Sequence, residues 1–320
     1  EVDNLPSFYQ YQLYCRSLNA SIQNFTKETL KKLKKQPEHE LVEEIIKKYK
    51  VEERRDRNII CIDPKSSKDF DDAMGLIHQE DYTLLSIYIA NVPLWLDYLN
   101  LWGSFSKRVS TIYLPDKKLP MLPTVLSDIL CSLQSDSSRF AFALDLKIEN
   151  SSGLVVDYGF SNTIINVKKN YVYDSKEMEE SLLYQDVYNI VCKMNKNNRY
   201  TYKVKNCHDV VAYLMILMNH KCAEEMSKQQ QGLFRSMSFS KTYNSKDITD
   251  NEEIQQFLNN WHSSGGNYNK YEDLKKHEAL NLDKYLHITS PIRRLVDLLN
   301  IIKMQNIMKI TELSDSALEF

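Results

Sequence analysis

An α+β (mixed α/β) fold is predicted for this 320-residue chain, and three observations predict it. Short apolar runs bounded by turn residues dominate the first half, and helix-period stretches dominate the second. The hydrophobic content of 42% is enough to bury a large core. Only 7 Gly and 8 Pro against 20 Tyr, with no self-similar period, argue against a linker, a disordered tail or a repeat array. Charge nearly balances, 41 Lys+Arg against 43 Asp+Glu, which excludes a polyanion binder working through bulk charge. Any nucleic-acid contact must be local. No apolar run approaches the roughly 20 residues of a membrane-spanning helix, so no membrane association is expected.

Residues 1–56 are predicted as a helical lead-in. Apolar Leu30, Leu33, Leu41, Ile45 and Ile46 fall at helix spacing among charges, and Pro37 interrupts them, which predicts two short surface helices. The second unit, 57–320, carries the chemistry. Residues 58–62 (Asn-Ile-Ile-Cys-Ile) and 83–92 read as core strands, and 140–149 and 154–167 as strands around a turn at Ser151-Ser152-Gly153. From about Ser175 the pattern is helical, most clearly over 210–226, which has no Gly or Pro. Residues 236–270 are polar and read as a loop region, and Pro291 suits the first turn of the last helix.

The cysteines at 15, 61, 131, 192, 207 and 222 form no CxxC pair and lie in apolar segments, so reduced thiols and an intracellular, cytoplasmic setting are expected. An organelle stays open, because the chain starts at Glu1 rather than Met and reads as a piece of a longer protein. The Asn-x-Ser/Thr matches at Asn19, Asn24 and Asn150 are short enough to arise by chance. Cys207-His208 and His220-x-Cys222 invite a zinc reading, but on one helix they stand about 20 Å apart at 1.5 Å per residue, too far for one tetrahedral ion.

The densest chemistry is Ile62-Asp63-Pro64-Lys65-Ser66-Ser67-Lys68-Asp69-Phe70-Asp71-Asp72. Four carboxylates within ten residues repel one another at pH 7 unless a cation sits among them, and oxygen-only donors favour Mg²⁺, with Mn²⁺ as the alternative. The segment leaves one strand end and returns to the next, so the tetrad can close on Asp63 while Phe70 points into the core. Phosphoryl-transfer sites hold one or two such ions, about 3.5 to 4 Å apart when paired. A solvated acidic turn is the bland alternative.

Residues 107–133, with Ile112-Tyr113-Leu114-Pro115 and Pro120-Met121-Leu122-Pro123, and residues 287–294, His-Ile-Thr-Ser-Pro-Ile-Arg-Arg, change that balance. With the acidic segment they closely resemble the diagnostic motifs of the RNB (ribonuclease II/ribonuclease R) exoribonuclease family, in the family's order. The resemblance runs from about Arg54 to Asn300 and is loose between Lys176 and Lys284. It implies a central mixed sheet surrounded by helices around an RNA channel, and hydrolysis of single-stranded RNA from the 3′ end to 5′-mononucleotides. By the match, Asp63, Asp69, Asp71 and Asp72 are metal ligands, Asp71 is most needed for the chemical step, and Arg293 clamps the phosphate, with Arg294 the weaker candidate. Tyr113 and Tyr173 match family aromatics that stack on the terminal nucleotides. His287 packs or hydrogen-bonds rather than acting as a base.

Three departures stand out. Ile-Ala-Asn-Val at Asn91 replaces the family's Ile-Ala-Asp-Val, Ala212-Tyr213 replaces an acidic pair that helps hold the 3′ nucleotide, and Leu295 and Ile301-Ile302 replace a Tyr and a His-Arg. Retained aspartates with an eroded RNA grip imply a divergent nuclease. A catalytically weakened RNA-binding or scaffold subunit and a metal-dependent endoribonuclease are the alternatives. The cold-shock and S1 modules usual in the family, or protein cofactors, would lie outside this piece.

Overall fold

The computed structural model describes residues 5–106, 108–197, 200, 203–239, 251, 254, 255, 258 and 265–320. Two helices, α1 (Leu5–Leu33) and α2 (Glu38–Tyr49), lead into strands β1 (Glu52–Arg54), β2 (Ile59–Asp63), β3 (Asp72–His78) and β4 (Tyr82–Ala90). Helix α3 (Val92–Tyr98) and a small hairpin of β5 (Ile112–Tyr113) and β6 (Lys118–Leu119) precede the long strands β7 (Ser138–Glu149) and β8 (Val155–Asn166), then β9 (Lys169–Val172). Seven of these strands form one sheet in the order β1-β8-β7-β4-β3-β2-β9. It is mixed, because β1 runs parallel to β8 and β2 parallel to β9 while the central pairs are antiparallel.

Both sheet faces are buried, which is why β2 reads as a continuous apolar run rather than an alternation. Ile59 and Cys61 pack into the core under α2 and α3, and Ile60 and Ile62 into the core on the opposite face. That second core is covered by α5 (Leu182–Met194) and α6 (Cys207–Lys228), which follow the short α4 (Lys176–Glu179). With both faces apolar, shape has to help set the β2–β3 register. Gly75 lies opposite Ile59, and a Cβ there would come within 2.7 Å of the Asn58 carbonyl.

The lead-in departs from the expected pair of short surface helices. α1 has 29 residues, and Ile22, Phe25, Leu41, Ile45 and Tyr49 are buried in the core. The stretch before residue 27 hides its apolar face among polar residues, so a window of 27–50 misses it. The break at Pro37 is observed, with Pro37 as the N-cap of α2. Buried Asp97 of α3 accepts hydrogen bonds from Tyr49 Oη (2.7 Å), Trp102 Nε1 (3.0 Å) and the backbone N–H of Ser314 (3.2 Å), tying the lead-in to the end of the chain.

The second half adds a hairpin of β10 (Leu233–Ser236) and β11 (Asn267–Lys270), then α7 (Leu295–Ile307) and α8 (Asp315–Glu319). Much of the expected 236–270 loop lies outside the described residues, and its end is strand β11. Pro291 does not open the last long helix. It sits in the preceding turn, and the helix begins at Leu295 because Thr111, Ser110 and Val109 bind the backbone of 293–295 first.

Candidate metal and RNA site

β2 ends at Asp63 and its antiparallel neighbour β3 begins at Asp72, so the loop between them closes over one end of the sheet. That loop is held by specific bonds. Ser132 Oγ accepts the Phe70 N–H (3.0 Å) and donates to the Lys68 carbonyl (2.8 Å), Leu133 N–H bonds Phe70 O (2.9 Å), and Ala90 N–H bonds Asp71 O (2.8 Å). Phe70 packs against the core as expected.

The four carboxylates lie near enough at this sheet end to act on one another, although no three of them bring a ligand atom each within 4.8 Å of the others, and their surroundings differ. Burial, reinforced by Asp72, Asp71 and Asp69, pushes Asp63 up to about 9. Burial raises Asp71 to about 8 against the pull of Arg293 and the Ile292 N–H, and raises Asp72 to about 6 against Arg293. Asp63 Oδ2 and Asp72 Oδ2 are buried without a hydrogen-bonding partner among the described residues. Buried, unpartnered, oxygen-only donors of one charge fit a hard divalent ion.

Asp71 is already engaged on both oxygens. Oδ1 accepts the Ile292 N–H at 3.0 Å and Oδ2 accepts Arg293 Nε at 3.2 Å. Arg293 Nη2 also donates to Ser290 Oγ (3.0 Å), which leaves the fork aimed by two partners and 41% exposed. Arg294 is turned elsewhere. Its Nη2 meets the fully buried Asp297 at 2.7 Å, and Asp297 also accepts the Ser290 N–H (2.8 Å), so the pair stabilises the turn that carries Arg293.

Asp69 meets a residue that the motif reading did not single out. Lys118 Nζ lies 2.9 Å from Asp69 Oδ1 and 3.4 Å from Asp128 Oδ1, and Tyr113 Oη lies 3.4 Å from Asp69 Oδ2. Nothing in the spacing marks Lys118, because it reaches Asp69 only through the β5–β6 hairpin. Tyr113 is 59% exposed, and Tyr173 donates its N–H to the Asp63 carbonyl (3.1 Å) while its ring stacks on His208 at 4.1 Å and 8°. His287 shares a 2.7 Å hydrogen bond with Tyr268 Oη.

Of the departures, Asn91 is wholly buried and lies in an amide cluster. Its Nδ2 donates to Asn162 Oδ1 (2.8 Å), and Gln305 Nε2 of α7 donates to Asn91 Oδ1 (3.0 Å) and Asn162 Oδ1 (2.9 Å). Ala212 is exposed on α6, whereas Tyr213 is buried against Tyr200. Cys207, His208, His220 and Cys222 all fall on α6, and His220 pairs with Tyr200 Oη at 2.8 Å. No helix among the described residues is long and apolar enough to cross a membrane.

A family model described as the RNB domain matches residues 51–179 and 175–309. The chain is 27% identical over 313 residues to Ribonuclease R of Chlamydia muridarum (strain MoPn / Nigg), covering 76% of this chain and 45% of that protein. Among solved structures, Mycoplasma genitalium RNase R in complex with ribose methylated single-stranded RNA superposes with a TM-score of 0.65 at 18% identity, over 80% of this chain and 50% of that one. Yeast Ssd1, a pseudonuclease, gives 0.68 at 14% identity, over 84% and 42%. The mixed sheet with helices on both faces is the fold of these structures. The chain spans less than half the length of the curated Ribonuclease R it matches. On the match across 51–309, the chain belongs to the RNB family.

Proposed function

We propose that the chain is the catalytic domain of a metal-dependent ribonuclease that hydrolyses single-stranded RNA from its 3′ end to 5′-mononucleotides. The observation that carries this reading is a group of four aspartates at one sheet end, two with buried unpartnered oxygens, beside an arginine oriented by a third. Bound by Asp63, Asp69 and Asp72, Mg²⁺ or Mn²⁺ would supply the charge that acidifies a water and offsets the leaving oxygen.

The chain's own groups do the positioning. Asp71 fixes the Arg293 guanidinium through Nε, so the remaining N–H donors are directed at a phosphate without further ordering cost. Lys118 supplies a positive charge at Asp69, where carboxylate repulsion would otherwise be uncompensated. Tyr113 and Tyr173 offer ring faces to bases, a contact indifferent to sequence and suited to stepwise movement along RNA. Arg294, occupied by Asp297, acts in this reading on the turn rather than on RNA. Single-stranded RNA as substrate is supported by the likeness to Mycoplasma genitalium RNase R, whose structure holds ribose methylated single-stranded RNA. Cold-shock and S1 modules are proposed as neighbours in the whole protein.

The test uses single-stranded RNA labelled at either end, with Mg²⁺ or Mn²⁺, beside Asp71→Asn. Mononucleotide released from the 3′ label, and reduced at least about 100-fold in the variant, is the expected result. RNA binding with no product in either metal would support the weakened, RNA-binding subunit, a reading that exposed Ala212 favours by offering no carboxylate to the 3′ nucleotide. Internal fragments would indicate an endoribonuclease.

A further inference from the structure

A second group of donors stands apart from the aspartates. Asp174 follows β9, and Cys207 and His208 open α6, yet the three meet: Cys207 Sγ donates to Asp174 Oδ1 at 3.2 Å, and His208 Nε2 lies 3.0 Å from Asp174 Oδ2. One ligand atom from each lies within 4.8 Å of the others. Tetrahedral zinc, with Zn–S near 2.3 Å and Zn–N near 2.0 Å, sets its ligand atoms roughly 3.3 to 3.6 Å apart, a spacing this trio reaches with small rotamer changes. Asp174 and His208 are exposed, which gives an ion an entry path, while Cys207 is 2% exposed and anchored on the first turn of a 22-residue helix. The Asn206 side chain caps that turn by accepting the Asp209 N–H at 3.1 Å, so the backbone of the thiol and imidazole is preset.

We infer that Asp174, Cys207 and His208 form a three-ligand site for a borderline-soft divalent cation, Zn²⁺ by chemistry, with water as the fourth ligand. Thiolate and imidazole donors select against Mg²⁺, just as the oxygen-only aspartate cluster selects for it, so the two sites sort metals by donor type. Binding replaces the thiol proton, which leaves to solvent, and the Asp174 hydrogen bonds with Zn–S, Zn–N and Zn–O bonds. Because the His208 ring lies flat against Tyr173, whose N–H bonds the Asp63 carbonyl, an ion here also fixes that stack; the bearing of this on RNA rests on the function proposed above, but the site itself does not.

Cobalt(II) is the probe. With Mg²⁺ in excess to fill the aspartate cluster, one equivalent of Co²⁺ should give tetrahedral visible bands and a thiolate-to-cobalt charge-transfer band in the near ultraviolet, both displaced by Zn²⁺. Cys207→Ser should abolish the charge-transfer band, and His208→Asn should weaken Co²⁺ binding at least tenfold, while Asp63→Asn leaves both unchanged. Circular dichroism reports whether each variant folds, and either variant alone suffices. A Co²⁺ spectrum with no thiolate band, a band indifferent to Cys207→Ser, or no binding at all overturns the site.

Discussion

Asp63 and Lys118 show how one side chain sets the balance of the aspartate cluster. Asp63 is pushed up further than Asp71 and Asp72, and its ionisation in the folded, metal-free protein costs more than theirs. Asp63→Asn should therefore stabilise the metal-free protein, by about 2 kcal/mol at pH 8, while cancelling stabilisation by Mg²⁺. Thermal melts in EDTA and in Mg²⁺ check both signs; a variant that is less stable in EDTA and still responds to Mg²⁺ contradicts the assignment. Lys118 competes with a cation for Asp69. Lys118→Met should bind Mn²⁺ about tenfold tighter by calorimetry, equivalent to roughly 1.4 kcal/mol, and unchanged or weaker binding would remove Lys118 from the site. The aspartates were legible because they are close in sequence and motif-borne. Lys118 was not, since its partner is 49 residues away and the contact exists only once the β5–β6 hairpin is folded.

At the level of elements, β2 and β4 were legible as apolar runs and β7 and β8 as alternating stretches about the Ser151-Ser152-Gly153 turn. In contrast, β3, which starts inside the acidic segment, and the short, half-exposed β1 and β9 carry no such pattern. The 210–226 helix was legible because it lacks breakers. The first part of α1 was not, since its buried positions, Ile22 and Phe25, sit among polar residues that signal a surface. The start of α7 was misplaced for a tertiary reason: residues 293–295 pair with 109–111 before the helix can begin, overriding the local preference at Pro291. The same helix explains the Asn91 departure. Gln305 Nε2 donates to the Oδ1 atoms of both Asn91 and Asn162 beneath α7, so an amide at 91 is matched by an amide on the helix above it. Gln305→Met keeps the length and removes the donor. It should cost about 1 to 3 kcal/mol in urea denaturation, because it strands the buried Asn91 Oδ1 without opening a large cavity, while Asn162 Oδ1 keeps the Asn91 amide. A cost below a few tenths of a kcal/mol would show that α7 docks by apolar packing alone.

For the whole molecule, ionisable groups press on stability from both ends of the pH scale. Asp97, held below the usual carboxylate range by hydrogen bonds from Ser314, Tyr49 and Trp102 that outweigh its burial, contributes stability that is lost in acid. Half-buried His287, pushed far down by desolvation and by the nearby Arg294 and Arg235, acts in the same direction: the unfolded chain takes up a proton below about pH 6.5 that the folded chain refuses. The aspartate cluster has the opposite sign. Its folded values of about 6, 8 and 9 lie above the unfolded value near 3.9, so its contribution is complete below pH 4 and is lost as pH rises through those values. A metal-free protein should therefore lose stability between about pH 5 and 9, by up to roughly 1.4 kcal/mol per unit for each group still titrating, less whatever relaxation recovers. A divalent ion reverses this, because it binds the deprotonated carboxylates and expels their protons. Mg²⁺ stabilisation should accordingly grow from pH 5 to pH 9, and isothermal titrations in buffers of different ionisation enthalpy should record proton release near pH 7. Denaturant midpoints in EDTA and in Mg²⁺ at pH 5, 7 and 9 decide the matter: if the gap between the two curves is the same at all three, the carboxylates are not the ligands.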